Sequence, residues 1–274
     1  MRGSENSLHV VVCGAGGRMG GRIIHAIQNT PGVVLAAGVE RSGHPVLEKG
    51  IAQYVGIPEL TAPVVSDLGE VIDRTDVVID FTAPEASLAH LQIAKTKKTA
   101  LVVGTTGLDN DQTGKFEEAG NEIAICLSPN MSVGVNLLFS LVGQVASILG
   151  EEYDPEIIEI HHRLKKDSPS GTALKLARIL AEARGWDLEK TGNYGRKGII
   201  GPRKTEELGI HAVRTGDVVG EHTVIFGGPA ERVELIHRAH SRDVFAYGAV
   251  RAALFVAKAR PGFYDMQDVL GLRG

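Results

Sequence analysis

The chain has 274 residues, of which 43% are apolar and 23% charged, and a formal net charge of -4. That is the composition of an ordinary globular protein long enough for two domains. A chain of this size buries roughly 75% of its unfolded surface, so no disulfide or metal is needed to hold a core, and its mild acidity excludes a nucleic-acid partner and makes any anion site local.

Leu8 to Cys13 reads as a buried strand feeding Gly14-Ala15-Gly16-Gly17-Arg18-Met19-Gly20, with a helix from about Arg18 to Asn29. Pro31-Gly32 breaks the chain before a second strand, Val33 to Val39, which ends at Glu40-Arg41. A Gly/Pro-containing loop is expected from Ser42 to about Pro63. Strands at Asp76 to Phe81, Ala100 to Val103 and Ile123 to Leu127 alternate with helices from Pro84 to about Lys97 and from Asp111 to Gly120. Continuous apolar strands alternating with helices predict a parallel sheet covered on both faces.

The pattern changes near Ser128-Pro129-Asn130. A long apolar helix is predicted from about Val133 to Leu149, a strand from Pro155 to Arg163 and a helix from Thr172 to Arg184. Trp186 to Glu207 reads as an exposed loop. Ile210 to Thr215, Gly220 to Phe226 and Arg232 to Ala239 read as antiparallel strands, followed by a helix over Asp243 to Ala259 and a short element at Met266 to Leu270. The fold class is therefore α/β: an N-terminal Rossmann-type parallel sheet, then a second α+β domain with a mixed sheet.

Met1 to Ser7 carries no apolar core, and no run approaches the roughly 20 apolar residues that span a bilayer. The expectation is a cytoplasmic protein with no membrane partner. Cys13 and Cys126 sit in apolar runs and read as inert buried thiols. Neither belongs to a metal-ligand spacing, and no metal is expected.

Three glycines after a strand and before a helix have separate tasks: Gly14 permits the tight turn, Gly17 lets the backbone approach a pyrophosphate, and Gly20 lets the helix pack on the sheet. Free amides and the helix dipole favour phosphate there. Glu40, at the end of the second strand, suits a ribose diol and NADH. Arg41 beside it suits a 2′-phosphate and NADPH, or is a solvated loop charge. Gly104-Thr105-Thr106 and Ser128-Pro129-Asn130-Met131 follow the fourth and fifth strands, where an open parallel sheet binds ligands, and are expected to line the nicotinamide side with Phe81-Thr82.

A second concentration of chemistry is His161-His162-Arg163-Leu164-Lys165-Lys166-Asp167-Ser168-Pro169-Ser170-Gly171-Thr172. If the strand continues through it, His161, Arg163 and Lys165 share one face and His162 the other. Crowded cations lower a histidine or lysine pKa toward neutrality, which suits proton transfer. Ser170, Gly171 and Thr172 offer amides and a hydroxyl at a helix start, a fitting carboxylate site. His237 and His240, near Arg238 and Arg242, suit either that anion site or a rim.

Taken together, the glycine motif, Gly-Thr-Thr-Gly at 104–107, Ser-Pro-Asn-Met-Ser-Val-Gly-Val-Asn at 128–136 and Glu-Ile-His-His-Arg-x-Lys-x-Asp-x-Pro-Ser-Gly-Thr-Ala at 159–173 resemble the dihydrodipicolinate (4-hydroxy-tetrahydrodipicolinate) reductase family of the diaminopimelate route to lysine. Gly195-Arg196-x-Gly198 and Gly227-Gly228 extend the resemblance over essentially the whole chain. It implies a dinucleotide-binding domain over 1–130 plus 241–274, and a substrate-binding and tetramerisation domain over 131–240, in a homotetramer. It implies that His161 and Lys165 are the proton donors and that His162, Gly171 and Thr172 contact a small cyclic dicarboxylate. It further implies that Gly14, Ala15, Gly16, Gly17, Arg18, Met19, Glu40, Arg41, Gly104, Thr105, Thr106, Ser128, Pro129, Asn130 and Met131 contact NADH and/or NADPH. Two departures are visible: Met131 where many members carry Phe, and Leu164 where a polar residue is common. The alternatives are a semialdehyde dehydrogenase, which needs an activated cysteine such as Cys126, and a dinucleotide-sensing protein without turnover.

Overall fold

Leu8–Cys13 forms β1 in a computed structural model that describes residues 7–273. The reading of Met1 to Ser7 thus falls, apart from Ser7, outside the described residues. Next come α1 (Gly20–Gln28), β2 (Val33–Val39), α2 (Pro45–Lys49), α3 (Ile51–Val55) and β3 (Val64–Val65). They are followed by β4 (Val77–Asp80), α4 (Pro84–Lys97), β5 (Ala100–Val103), α5 (Asn110–Ala119), β6 (Ala124–Leu127) and α6 (Val133–Leu149). The chain continues with β7 (Asp154–His161), α7 (Gly171–Arg184), α8 (Leu188–Thr191), β8 (Gly192–Asn193), β9 (Leu208–Arg214), β10 (Gly220–Gly228) and β11 (Glu231–Ala239). It ends in α9 (Asp243–Val256), β12 (Gly262–Tyr264) and α10 (Met266–Val269).

Two compact units result. The first runs to Val133 and resumes at Arg242; the second is Gly134–Ser241. The first holds a seven-stranded sheet in the order β12-β6-β5-β4-β1-β2-β3, every pair parallel. Successive residues of β1 enter opposite cores, because strand side chains alternate. Val10 and Val12 pack with Ile23, Ile24 and Ile27 of α1 and with Ala249 and Ala253 of α9. Val11 and Cys13 pack with Leu91 of α4 and Phe116 of α5. Helices on both faces explain the unbroken apolar strands.

The second unit holds a mixed five-stranded sheet, β11-β10-β7-β9-β8. One face is covered by α6 and α7, whose Leu138, Phe139, Val142, Leu176 and Leu180 pack on Ile157, Ile210 and Val224.

Several expectations are corrected. The span 42–63 contains α2 and α3: Pro45 opens α2 with His44 accepting from the Val46 amide, and Gly50 separates the two helices. β3 and β12 were not anticipated; each is two or three residues long and gains its hydrogen bonds only from a sheet already formed. β9 runs parallel to β7 and β8, not antiparallel, because the intervening segment crosses over. The span 186–207 includes α8 and β8 and is pinned by Arg196 on Glu156 and Arg203 on Asp154. β7 stops at His161, where Thr215 and Arg163 amides donate to His161 and Gly216 carbonyls, so extension does not carry on to Lys165. Finally, Val133–Glu152 is a helix long and apolar enough, by length and composition, to cross a membrane. Isolated polar residues such as Asn136 and Gln144 break its apolar run in the sequence. In the fold Val135, Leu138, Phe139, Val142 and Ala146 of this helix are core residues of the second unit.

Candidate active site

In the first unit the glycine turn sits at the carboxyl end of β1. Gly14 has φ +78°, and the Gly14 and Ala15 amides both donate to Val39 O of β2, at 2.9 and 3.1 Å. The turn closes with Gly17 N donating to Gly14 O at 2.9 Å. The helix begins at Gly20, two residues later than predicted. A Cβ at Gly20 would stand 2.1 Å from Gly14 O, so only glycine lets α1 approach the turn so closely. Glu40 is oriented by two amides: Gly16 N donates to Oε2 and Arg41 N to Oε1, each at 3.0 Å. Tyr54 of α3 donates its hydroxyl to Gly16 O at 3.1 Å and meets the His44 ring edge-on, with centroids 5.6 Å apart. These two residues flank the turn from the 42–63 segment, expected to be plain loop.

An open cavity of about 460 Å³ is lined by Arg18, Met19, Gly104, Thr105, Thr106, Pro129, Asn130 and Met131, together with Phe81, Thr82 and Phe245. Eight of the predicted cofactor residues are thus brought together. Ser128 is buried and shapes the rim: its amide donates to Val103 O at 3.0 Å and its hydroxyl to Asn130 O at 2.9 Å. Below the rim lies the buried Asp80 carboxylate. It accepts from Thr82 Oγ1 at 2.6 Å and Thr105 Oγ1 at 3.3 Å and meets His90 Nδ1 at 2.7 Å. Cys13, Asp80 and His90 could between them hold a metal ion, but the Asp80 oxygens are already engaged by these three side chains. Burial pushes the Cys13 thiol well up, with Asp80 and Glu40 adding to the shift.

In the second unit β7 carries Glu159 and His161 on one face, two residues apart. The strand register places His222 of β10 opposite Glu159, Arg214 of β9 opposite His161, and His237 of β11 opposite His222. Glu159 has no solvent contact. Its Oε2 lies 2.5 Å from His161 Nδ1 and 2.8 Å from Arg214 Nη1; its Oε1 lies 2.8 Å from Arg214 Nη2 and accepts the Ser170 amide at 3.0 Å. Burial alone would raise this carboxyl, but the bonds from His161, Arg214 and Ser170 outweigh it and hold the group at about 2. The His161 and His222 rings meet edge-on, centroids 5.2 Å apart. Burial, and then the charge of His161, pushes His222 down to about 3. The histidine lowered chiefly by burial, with His161 adding to it, is therefore His222, which lies outside the 161–172 segment.

Lys165 follows in a turn whose amide donates to His162 O at 3.1 Å; its Nζ donates to Asp167 Oδ1 at 2.8 Å. That ion pair lowers Asp167. His162 is half-buried, with Nδ1 shielded from solvent and lacking a hydrogen-bond partner. Ser170 is the N-cap of α7: its Oγ accepts from the Ala173 amide at 3.2 Å and lies 3.3 Å from His222 Nε2. Gly171 opens the helix, exposed, and Thr172 follows it. Leu164 is exposed.

No activated cysteine is present among the described residues. Cys126 is fully buried and its thiol is pushed up to about 12, first by burial and then by Asp265 and Asp268. This removes the thiol chemistry that a semialdehyde dehydrogenase requires.

The family pattern "Dihydrodipicolinate reductase, N-terminus" matches residues 8–131, and "Dihydrodipicolinate reductase, C-terminus" matches residues 134–270. The chain is 51% identical over 266 residues to 4-hydroxy-tetrahydrodipicolinate reductase of Syntrophus aciditrophicus (strain SB), covering 97% of this chain and 99% of that one. It is 50% identical over 266 residues to the enzyme of the same name from Syntrophobacter fumaroxidans (strain DSM 10017 / MPOB), covering 97% and 100%. A solved structure described as dipicolinate-bound dihydrodipicolinate reductase from Paenisporosarcina sp. TG-14 shares the fold, with TM-score 0.76 and 24% identity over 96% of this chain and 98% of that chain. On the strength of both halves matching in order along one chain, the protein belongs to the dihydrodipicolinate reductase family.

Proposed function

We infer that the chain is an oxidoreductase that reduces 4-hydroxy-tetrahydrodipicolinate to tetrahydrodipicolinate with NADH and/or NADPH, on the diaminopimelate route to lysine. The observation that carries this is likeness at about half identity over nearly the full length to reductases of that name. Turnover follows from it, so the reading as a mere dinucleotide sensor falls away.

The first unit suits a dinucleotide: the turn from Gly14 through Ala15 and Gly16 to Gly17 follows β1 and leads into the start of α1, and Glu40 is held in place by the Gly16 amide. Glu40 and Arg41 are assigned to the adenosine ribose or its phosphate. Arg18, Met19, Gly104, Thr105, Thr106, Ser128, Pro129, Asn130 and Met131 are assigned to the nicotinamide side. When bound, the reduced nicotinamide supplies a hydride.

In the second unit His161 is assigned as the acid. Hydride addition to a conjugated imine drives negative charge toward the ring nitrogen or an enamine carbon, and a proton must meet it. Lys165 is assigned as a second proton donor, released from Asp167 when a substrate carboxylate competes for it. His162, Gly171 and Thr172 are assigned to the substrate, whose carboxylates suit an amide-rich helix start beside cations. We further assign the second unit to tetramer assembly: Val213 and Ile236 stay exposed on the sheet face turned away from α6 and α7. The cytoplasm is the assigned location.

The test is an assay in which pyruvate and aspartate semialdehyde are condensed in situ and absorbance of the reduced nicotinamide is followed with each cofactor in turn. Steady loss of absorbance is expected. Replacing His161 or Lys165 should lower turnover by about 10²- to 10⁴-fold, the usual share of a positioned acid, with cofactor affinity little changed. Wild-type enzyme that consumes neither cofactor would refute the assignment.

A further inference from the structure

Glu159 holds a carboxylate with no solvent contact among four hydrogen bonds from three residues. Removing such a group from water is costly unless every oxygen is engaged, so the arrangement calls for a reason beyond packing. Its parts come from three neighbouring strands of one sheet face: Glu159 and His161 from β7, Arg214 from β9, His222 from β10. Arg214 grips both carboxylate oxygens in a fork, which fixes the plane of the group.

Two consequences follow for His161. An ionised carboxylate only accepts, so the contact to Glu159 requires a proton on Nδ1, and Nε2 is left as the atom that exchanges a proton with a ligand. Gly220 of β10 keeps that edge open: a Cβ there would stand 3.0 Å from Nε2. The same carboxylate also accepts the amide of Ser170, the N-cap of α7. One buried group thus ties the imidazole to the first turn of the helix carrying Gly171 and Thr172.

We propose that Glu159, gripped by Arg214, is a positioning residue for the reduction: it fixes the tautomer and direction of His161 so that Nε2 delivers the proton, and it holds that imidazole in register with the substrate-carboxylate end of α7. The proposal rests on the assignment of His161 as the acid. In the step, the Nε2–H bond of the imidazolium breaks, the substrate atom that gained negative charge gains the proton, and a neutral imidazole with Nδ1–H remains, to be reprotonated by solvent. The His161 ring meets Glu159 on β7 and His222 on β10; Arg214 on β9 grips Glu159, and the charges acting on His222 include His237 on β11 and Lys165, which pairs with Asp167 in the turn after β7.

The test compares the full-length wild type with Glu159→Gln and His161→Asn. Glutamine keeps the size but removes the charge that favours a protonated ring. For E159Q, kcat should fall about 10²-fold, KM for the reduced dinucleotide should stay within about twofold, and the alkaline fall of the kcat profile should move to lower pH. A merely structural role would leave that profile in place. In the wild type, nitrogen-15 histidine spectra at alkaline pH, with His161 identified from H161N, should show the proton on Nδ1; this reading stands even if E159Q does not fold. Wild-type His161 with its proton on Nε2, or E159Q with unchanged kcat and pH profile, overturns the proposal. If H161N still loses turnover in that case, the acid assignment survives without Glu159; if H161N turns over normally, the acid assignment itself fails.

Discussion

Replacing Gly20 by alanine tests how the first unit forms its turn. The new Cβ would lie 2.1 Å from Gly14 O, 2.7 Å from Ala15 Cα and 2.8 Å from Ala15 C, all backbone atoms. To restore a 3.0 Å contact the carbonyl must retreat by about 0.9 Å. That carbonyl accepts from Gly17 N, and the flanking amides are tied to Val39 O, so the whole turn must move. Overpacking costs about 1–3 kcal/mol and a weakened hydrogen bond about 1 kcal/mol, partly offset by roughly 0.5–1 kcal/mol from alanine's helix preference. A net loss of about 2–3 kcal/mol lowers the apparent Tm by about 5–10 °C for a chain of this size. Affinity for NADH or NADPH should fall at least about tenfold, since the turn that moves leads into the start of α1, the end of a helix that favours phosphate. Gly114→Ala in α5 is the control: nothing lies within 4 Å of its Cβ position, and Tm should rise by about 1–3 °C. The assay is thermal unfolding with and without cofactor, plus fluorescence titration. Gly20→Ala with wild-type Tm and wild-type affinity would refute the reasoning.

Acidification should destabilise the fold in two stages. His222, pushed to about 3 by burial and then by His161, takes up its proton near pH 6.5 once unfolded, so stability is full above that pH and falls below it, by about 2 kcal/mol at pH 5. Glu159 is buried and Glu156 half-buried, yet their hydrogen-bonded cationic partners hold both at about 2; their contribution is lost from about pH 4.5 downward. Thermal melts from pH 7.5 to 4 should show both stages, and His222→Gln should remove the upper one. At the other end of the chain, Glu40→Gln should weaken NADH about tenfold while sparing NADPH, and Arg41→Ala should do the reverse; parallel KM measurements check both, and equal losses for the two cofactors would contradict the division of labour.

What could be read from the sequence was local. The glycine turn and the 161–172 segment each compress their chemistry into a dozen residues, so their types and order announced it. Arg214 and His222 lie far along the chain from Glu159, and only strand register brings the three to one face. Glu159 stood within the quoted motif, but a carboxylate two residues before a histidine carries no sign that an arginine will fork it. Strand direction was equally silent: apolar alternation in β9 is the same whether its neighbour runs with it or against it. β12 begins at Gly262, directly after Pro261, and spans three residues, too few to show a period; its pairing with β6 is a tertiary event.

The first unit's sheet also orders events during synthesis. Its edge strand β12 and its helix α9 come from the last thirty-odd positions, whereas its other strands precede residue 128. Every apolar residue at the centre of the inserted lobe lies between 135 and 235. On a ribosome, therefore, the lobe translated second has its full complement of interior side chains while the lobe begun first still shows β6 without its outer neighbour and one flank without α9. The earliest-made strands wait longest for their cover, and a nascent chain halted near residue 241 would present that bare flank to whatever chaperone surveys it.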